Sequence, residues 1–134
     1  MNSRELAHEL RTPINHIVGY SEMLMEDLAA DPGSDGYRAI AAVRAAARDM
    51  LAAVNGHLGR GRPADSVVPP EVLANLRAEI QSGVEQLSKQ RIDESSLTQS
   101  PESAADVAKI LGACGRLSQF AATGDLSPPH PAQP

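Results

Sequence analysis

The residues of this chain best able to do chemistry stand together near its start, in the run His8-Glu9-Leu10-Arg11-Thr12-Pro13. A neutral imidazole in solvent is a nucleophile near neutral pH. Glu9 is the adjacent acid, placed to accept a hydrogen bond from one ring N–H and leave the other ring nitrogen free to attack. Thr12 lies one helical turn beyond His8 on the same face, where its hydroxyl can position a water or a phosphoryl oxygen. Arg11 is a candidate phosphate contact in the same turn. Pro13 offers no N–H to the carbonyl of Glu9 and its ring presses on that carbonyl, so a bend beside His8 is expected. Such a proline costs about 3 kcal/mol in a helix interior. A sequence otherwise so helical has little structural reason to accept that cost, and a reactive neighbour supplies a functional one. His8-Glu9 also opens a zinc-protease pattern, but Thr12 stands where the second histidine ligand belongs, and the reading fails.

These side chains need a scaffold, and the spacing of apolar residues supplies it. Leu6, Leu10, Ile14, Ile17, Leu24 and Leu28 recur at helical intervals, with Ser21 at the remaining step. This stripe predicts a helix from about Ser3 to Ala30, capped by Asn2 or Ser3, with Glu5 in the first turn where the helix dipole favours an anion. His8 is roughly 200° around from Leu6 and from Leu10, away from the stripe and toward solvent. Asp31-Pro32-Gly33-Ser34 ends this helix. A second helix follows from Ser34 or Asp35 to Leu58, with the stripe Tyr37, Ile40, Val43 (or the stem of Arg44), Ala47, Met50, Leu51, Val54 and Leu58. Two long helices joined by a short turn lie antiparallel. A lone hairpin cannot bury both stripes, so it needs further helices from a second copy or from its own C-terminal half.

Residues 63–69 read as a proline-containing linker. A third helix is predicted from Pro70 to about Lys89, with Leu73, Leu76, Ile80, Val84 and Leu87 in phase. Ile92 to Ser100 reads as a polar loop. Ser100-Pro101-Glu102 is a capped helix start, and a fourth helix continues to about Ala122 through Val107, Ile110, Leu111, Cys114, Leu117 and Phe120. Residues 124–134, rich in proline, are expected to be disordered. No internal repeat and no strand-like alternation stand out. The fold class is therefore all-α: residues 1–62 as a long antiparallel hairpin forming a dimeric four-helix bundle, with a helical pair at 70–123. The pair either folds back to complete a bundle within one chain or flanks a dimeric one.

The run HELRTPINHIVGYSEML resembles the H-box of the dimerisation and phospho-acceptor domain of sensor histidine kinases, and the likeness extends over the hairpin to about Leu58. The resemblance implies that the hairpin is a homodimer in which His8 accepts the γ-phosphoryl group of ATP and passes it to an aspartate on a response-regulator receiver domain. It implies that Glu9 orients and activates His8, and that Thr12 helps dephosphorylate the partner by positioning water. Such a kinase also needs an α/β ATP-binding domain. After residue 62 there is no Asp-x-Gly and no Gly-x-Gly, and Asn75 is the only asparagine. Gly112 and Gly115 sit within a helical pattern and make no phosphate cradle. No cofactor is expected on this chain itself, with ATP and magnesium entering through a histidine-kinase catalytic domain in trans. A catalytically silent dimerisation or receiver-docking scaffold, and a receiver phosphatase working through Thr12, are the other readings.

Composition bounds these expectations. Residues 1–62 hold seven basic and eight acidic side chains, residues 63–134 five and nine, and the net charge is −5. No basic patch exists to neutralise a nucleic-acid backbone. A single cysteine, Cys114, excludes an internal disulfide framework and fits a reducing cytoplasm. No stretch approaches the roughly 20 apolar residues of a membrane span, so the expectation is a cytoplasmic protein with no membrane insertion. His16 reads as a surface or groove residue, His57 as a helix-end residue matched to the dipole, His130 as part of the tail, and Cys114 as a small core residue.

Overall fold

The computed structural model describes residues 2–59, 65–90, 92 and 100–124. They form four helices: α1 (Ser3–Asp27), α2 (Asp35–Leu58), α3 (Pro70–Lys89) and α4 (Pro101–Thr123). Each start has a local cause. The Asn2 side chain accepts from the Glu5 N–H at 2.8 Å, Ser34 from Tyr37 at 3.2 Å and Ser100 from Ser103 at 3.1 Å. Each bond satisfies an N–H that the first turn leaves without a partner. Proline opens α3 and α4, where its fixed φ suits the first turn and its missing N–H is not needed. At the other end of α4, Gly124 takes the left-handed conformation (φ 74°) and closes the helix through its N–H on the Phe120 carbonyl.

Most of each predicted stripe is buried, but Leu111 of α4, one residue and so about 100° around from the buried Ile110, is 41% exposed, and Leu28, Leu73 and Cys114 are half-buried. Leu10, Ile14, Ile17 and Leu24 of α1 are fully inaccessible, as are Ile40, Val43 and Val54 of α2, Leu76 and Ile80 of α3, and Ile110, Leu117 and Phe120 of α4. Burying each such large side chain contributes about 1.5–3 kcal/mol. Of the two arrangements open to the C-terminal pair, this chain has the first. α1 packs on α2 and α4, and α3 packs on the same two helices, so α3 and α4 cover the stripe that the hairpin could not bury alone. A dimeric bundle built on that stripe would require α3 and α4 to move away from it.

Polar ties cross each helix pair. Arg44 pairs with Glu22 at 2.8 Å between α2 and α1, and His57 meets Glu79 between α2 and α3. Arg77 donates to the carbonyls of Ala121 (3.1 Å) and Ala122 (2.8 Å) between α3 and α4. The Lys109 ammonium lies 5.0 Å from the centre of the Tyr20 ring, linking α4 to α1.

Some details depart from the sequence reading. α1 ends at Asp27, and Leu28 to Ala30 turn away with the Ala29 N–H on the Glu26 carbonyl. Ala46, absent from the predicted stripe, is buried, whereas Tyr37 and Leu51 are only half-buried. Ile92, assigned to a polar loop, is 3% exposed and joins the core. The expected disorder of the tail concerns residues outside the described ones beyond Gly124.

Candidate functional site

The chemistry-bearing run occupies the second and third turns of α1. Leu6 and Leu10 point into the core and fix the phase, so the His8 side chain is exposed on the outer face. Glu9 is half-buried on the flank. Thr12 donates its hydroxyl hydrogen to the His8 backbone carbonyl at 3.0 Å. With that hydrogen committed to the helix, the lone pairs of Oγ1 are left to accept from a water or another donor beside the imidazole.

Arg11 turns the other way. Its Nε donates to Asn55 Oδ1 at 3.0 Å, tying α1 to the last turn of α2. Arg11, Asn55, Gly56 and Gly59 line an open cleft of about 570 Å³ on that flank. The guanidinium retains donors beyond the Nε–H, so this anchor leaves Arg11 able to meet an anion at the edge of the cleft. Sequence reading overlooked Asn55 and Gly56. Their only signal is a polar residue and a glycine ending an otherwise alanine-rich helix, which has no meaning until α2 lies against α1.

Pro13 is buried, and α1 continues through it without interruption. The Pro13 ring faces the core while the Glu9 carbonyl, which it deprives of a helical partner, lies in the turn that bears His8. Above this turn the start of α1 is held by the linker. The Ser3 N–H donates to the Ser66 carbonyl at 2.9 Å, and Asn2 and Val67 form an isolated antiparallel bridge.

The remaining histidines lie apart from His8. His16 is exposed and packs edge-on against Tyr20 with centroids 6.3 Å apart. His57 is occupied with Glu79. His130 lies outside the described residues. Cys114 packs against the core, and burial pushes its thiol up to about 11. Among the described residues, no group of three or more His, Cys, Asp or Glu side chains could hold a metal ion, and no helix is long and apolar enough to cross a membrane.

Residues 3–62 match the family model of the His Kinase A (phospho-acceptor) domain. No curated protein and no solved structure matches the chain. The match takes in α1, α2 and the turn between them, and it ends in the linker before α3. Residues 3–62 are thus a His Kinase A phospho-acceptor domain, the histidine-bearing hairpin of two-component signalling, covered in this chain by two further helices.

Proposed function

We propose that His8 carries a phosphoryl group between a histidine-kinase catalytic domain acting in trans and an aspartate of a response-regulator receiver domain. A ring nitrogen of His8 attacks the γ-phosphorus of ATP, ADP leaves, and the phosphoryl group later passes to the receiver carboxylate, restoring the imidazole. Glu9 accepts from the second ring nitrogen and favours the attacking tautomer. Arg11 meets phosphoryl oxygens from the flank. Nucleotide and magnesium are held by the catalytic partner. The observation that carries this reading is the outward projection of His8 from a helix whose opposite face is fully buried. In that position a receiver or kinase active site can close over the imidazole without disturbing the core.

Radiolabelled ATP alone should leave the chain unlabelled. Adding a competent histidine-kinase catalytic domain should give acid-labile, base-stable label that His8→Gln abolishes, and equal labelling of that variant would refute the assignment. The Thr12 hydroxyl favours one accessory activity. Because Oγ1 donates into the helix, it is set to accept from a water and aim that water at a phosphorylated receiver. Thr12→Ala should then slow receiver dephosphorylation while leaving His8 labelling intact.

A further inference from the structure

α3 and α4 lie outside the family match, yet they follow α1 and α2 at a nearly constant spacing. Leu76, Arg77 and Ile80 stand 66 residues after Leu10, Arg11 and Ile14, and Glu71 and Val84 stand 66 after Glu5 and Val18. Both leucines and both isoleucines are fully buried. The same interval recurs in local structure. Ser34 caps α2 by accepting from the Tyr37 N–H, and Ser100 caps α4 by accepting from Ser103; each residue of the second bond lies 66 beyond its counterpart in the first.

The paired arginines carry the comparison into tertiary structure. Arg11 reaches from α1 to Asn55 in the last turn of α2. Arg77 reaches from α3 to the carbonyls of Ala121 and Ala122, 66 and 67 residues after Asn55, in the last turn of α4. In each pair the same position on the first helix ties down the end of the second. The buried stripe of α4 runs one residue late, with Val107, Ile110 and Leu117 each 67 after Ile40, Val43 and Met50. A one-residue slip rotates a helix by roughly 100°, and it preserves the match on the face that packs. The contacts have the same two-fold character, since α1 and α3 each pack between α2 and α4.

We infer that residues 70–123 are a second copy of the hairpin that lacks the reactive residues and takes, within one chain, the place of a partner hairpin. At the positions of His8, Glu9, Thr12 and Pro13 it has Ala74, Asn75, Ala78 and Glu79. The second copy therefore keeps the leucine, arginine and isoleucine that pack and tie the helices, has Gly83 at the position of the buried Ile17, and lacks the side chains of His8, Glu9 and Thr12. The chain is a monomer with one acceptor histidine per four-helix bundle, where two identical hairpins would present two. The count of acceptors rests on the function proposed above; the fold-back does not.

Sedimentation equilibrium of the full chain, from micromolar to near-millimolar concentration, should give one species of 14.1 kDa. A species of twice that mass would overturn the inference. His8→Gln should leave the result unchanged, so the outcome stands whether or not His8 carries phosphate. A second measurement reads the fold-back directly. Spin labels at the exposed, equivalent positions Asn15→Cys and Gln81→Cys, in a Cys114→Ala background, should give one distance that survives dilution with unlabelled chain. A distance that disappears on dilution would mean that α3 and α4 pack on another copy, against the inference.

Discussion

Ser21 occupies a step of the α1 stripe that apolar residues fill elsewhere, and its Oγ is buried with no hydrogen-bond partner. A buried hydroxyl without a partner costs about 1–3 kcal/mol. Ser21→Ala should therefore raise stability by about 1 kcal/mol, read as a higher urea midpoint with unchanged slope; a lower midpoint would show that the hydroxyl is engaged. Cys114 gives a residue-scale pH dependence. Burial raises its thiol from the ordinary 9.0 to about 11, so below about pH 9 the thiol is protonated in both folded and unfolded chains and has no differential effect. As pH rises from about 9 to 11 the unfolded thiol ionises first, and stability falls. The loss should be on the order of 1–2 kcal/mol and should be smaller in Cys114→Ala when thermal midpoints are compared across that range. At this scale the sequence was informative about His8, whose exposure follows from the phase of Leu6 and Leu10. It was silent on the fate of Arg11, because Asn55 lies on another helix.

The elements owe their ends to local chemistry and their spacing to packing. Ser34, Ser100 and Pro101 marked helix starts that need no tertiary information, and α2 and α3 begin and end where the stripes and breakers predict. Two glycines separate local from tertiary effects. A Cβ on Gly83 would lie 2.6 Å from Met50 Sδ, because α3 approaches α2 closely there. Gly112 on α4 has nothing within 4 Å. Gly83→Ala should destabilise the bundle by about 1–3 kcal/mol despite the better helix former, whereas Gly112→Ala should stabilise it by about 0.5–1 kcal/mol. Chemical denaturation of both variants checks the pair, and the opposite signs are the expected result.

Across the whole molecule, one core joins all four helices. Ile14 of α1 and Ile80 of α3 are both fully buried within it. Ile14→Ala and Ile80→Ala should each cost about 2–5 kcal/mol. Both should lower a single cooperative transition, since the hairpin and the C-terminal pair have no separate interiors. Two transitions in calorimetry, with only one moved by each variant, would mean two independent units. This shared core distinguishes the chain from a hairpin carrying an appendage, and it places the outward face of His8 on a four-helix support.

The sequence by itself determined the all-α class, the four helices, most of the buried stripes and the reactive run around His8. Each of these depends on interactions within a few residues along the chain, namely helical periodicity, caps, breakers and the order of side chains in one motif. Tertiary structure alone decided what covers the hairpin, because the stripes of α1 and α2 would accept a second copy or α3 and α4 equally well on hydrophobicity. It also brought Ile92 into the core and set Arg11 against Asn55 and Arg77 against Ala121, two ties that give the 66-residue interval of the sequence its meaning as one hairpin recurring in the other. Packing between distant segments depends on shape and register in space, which a one-dimensional pattern with a single weak spacing does not display.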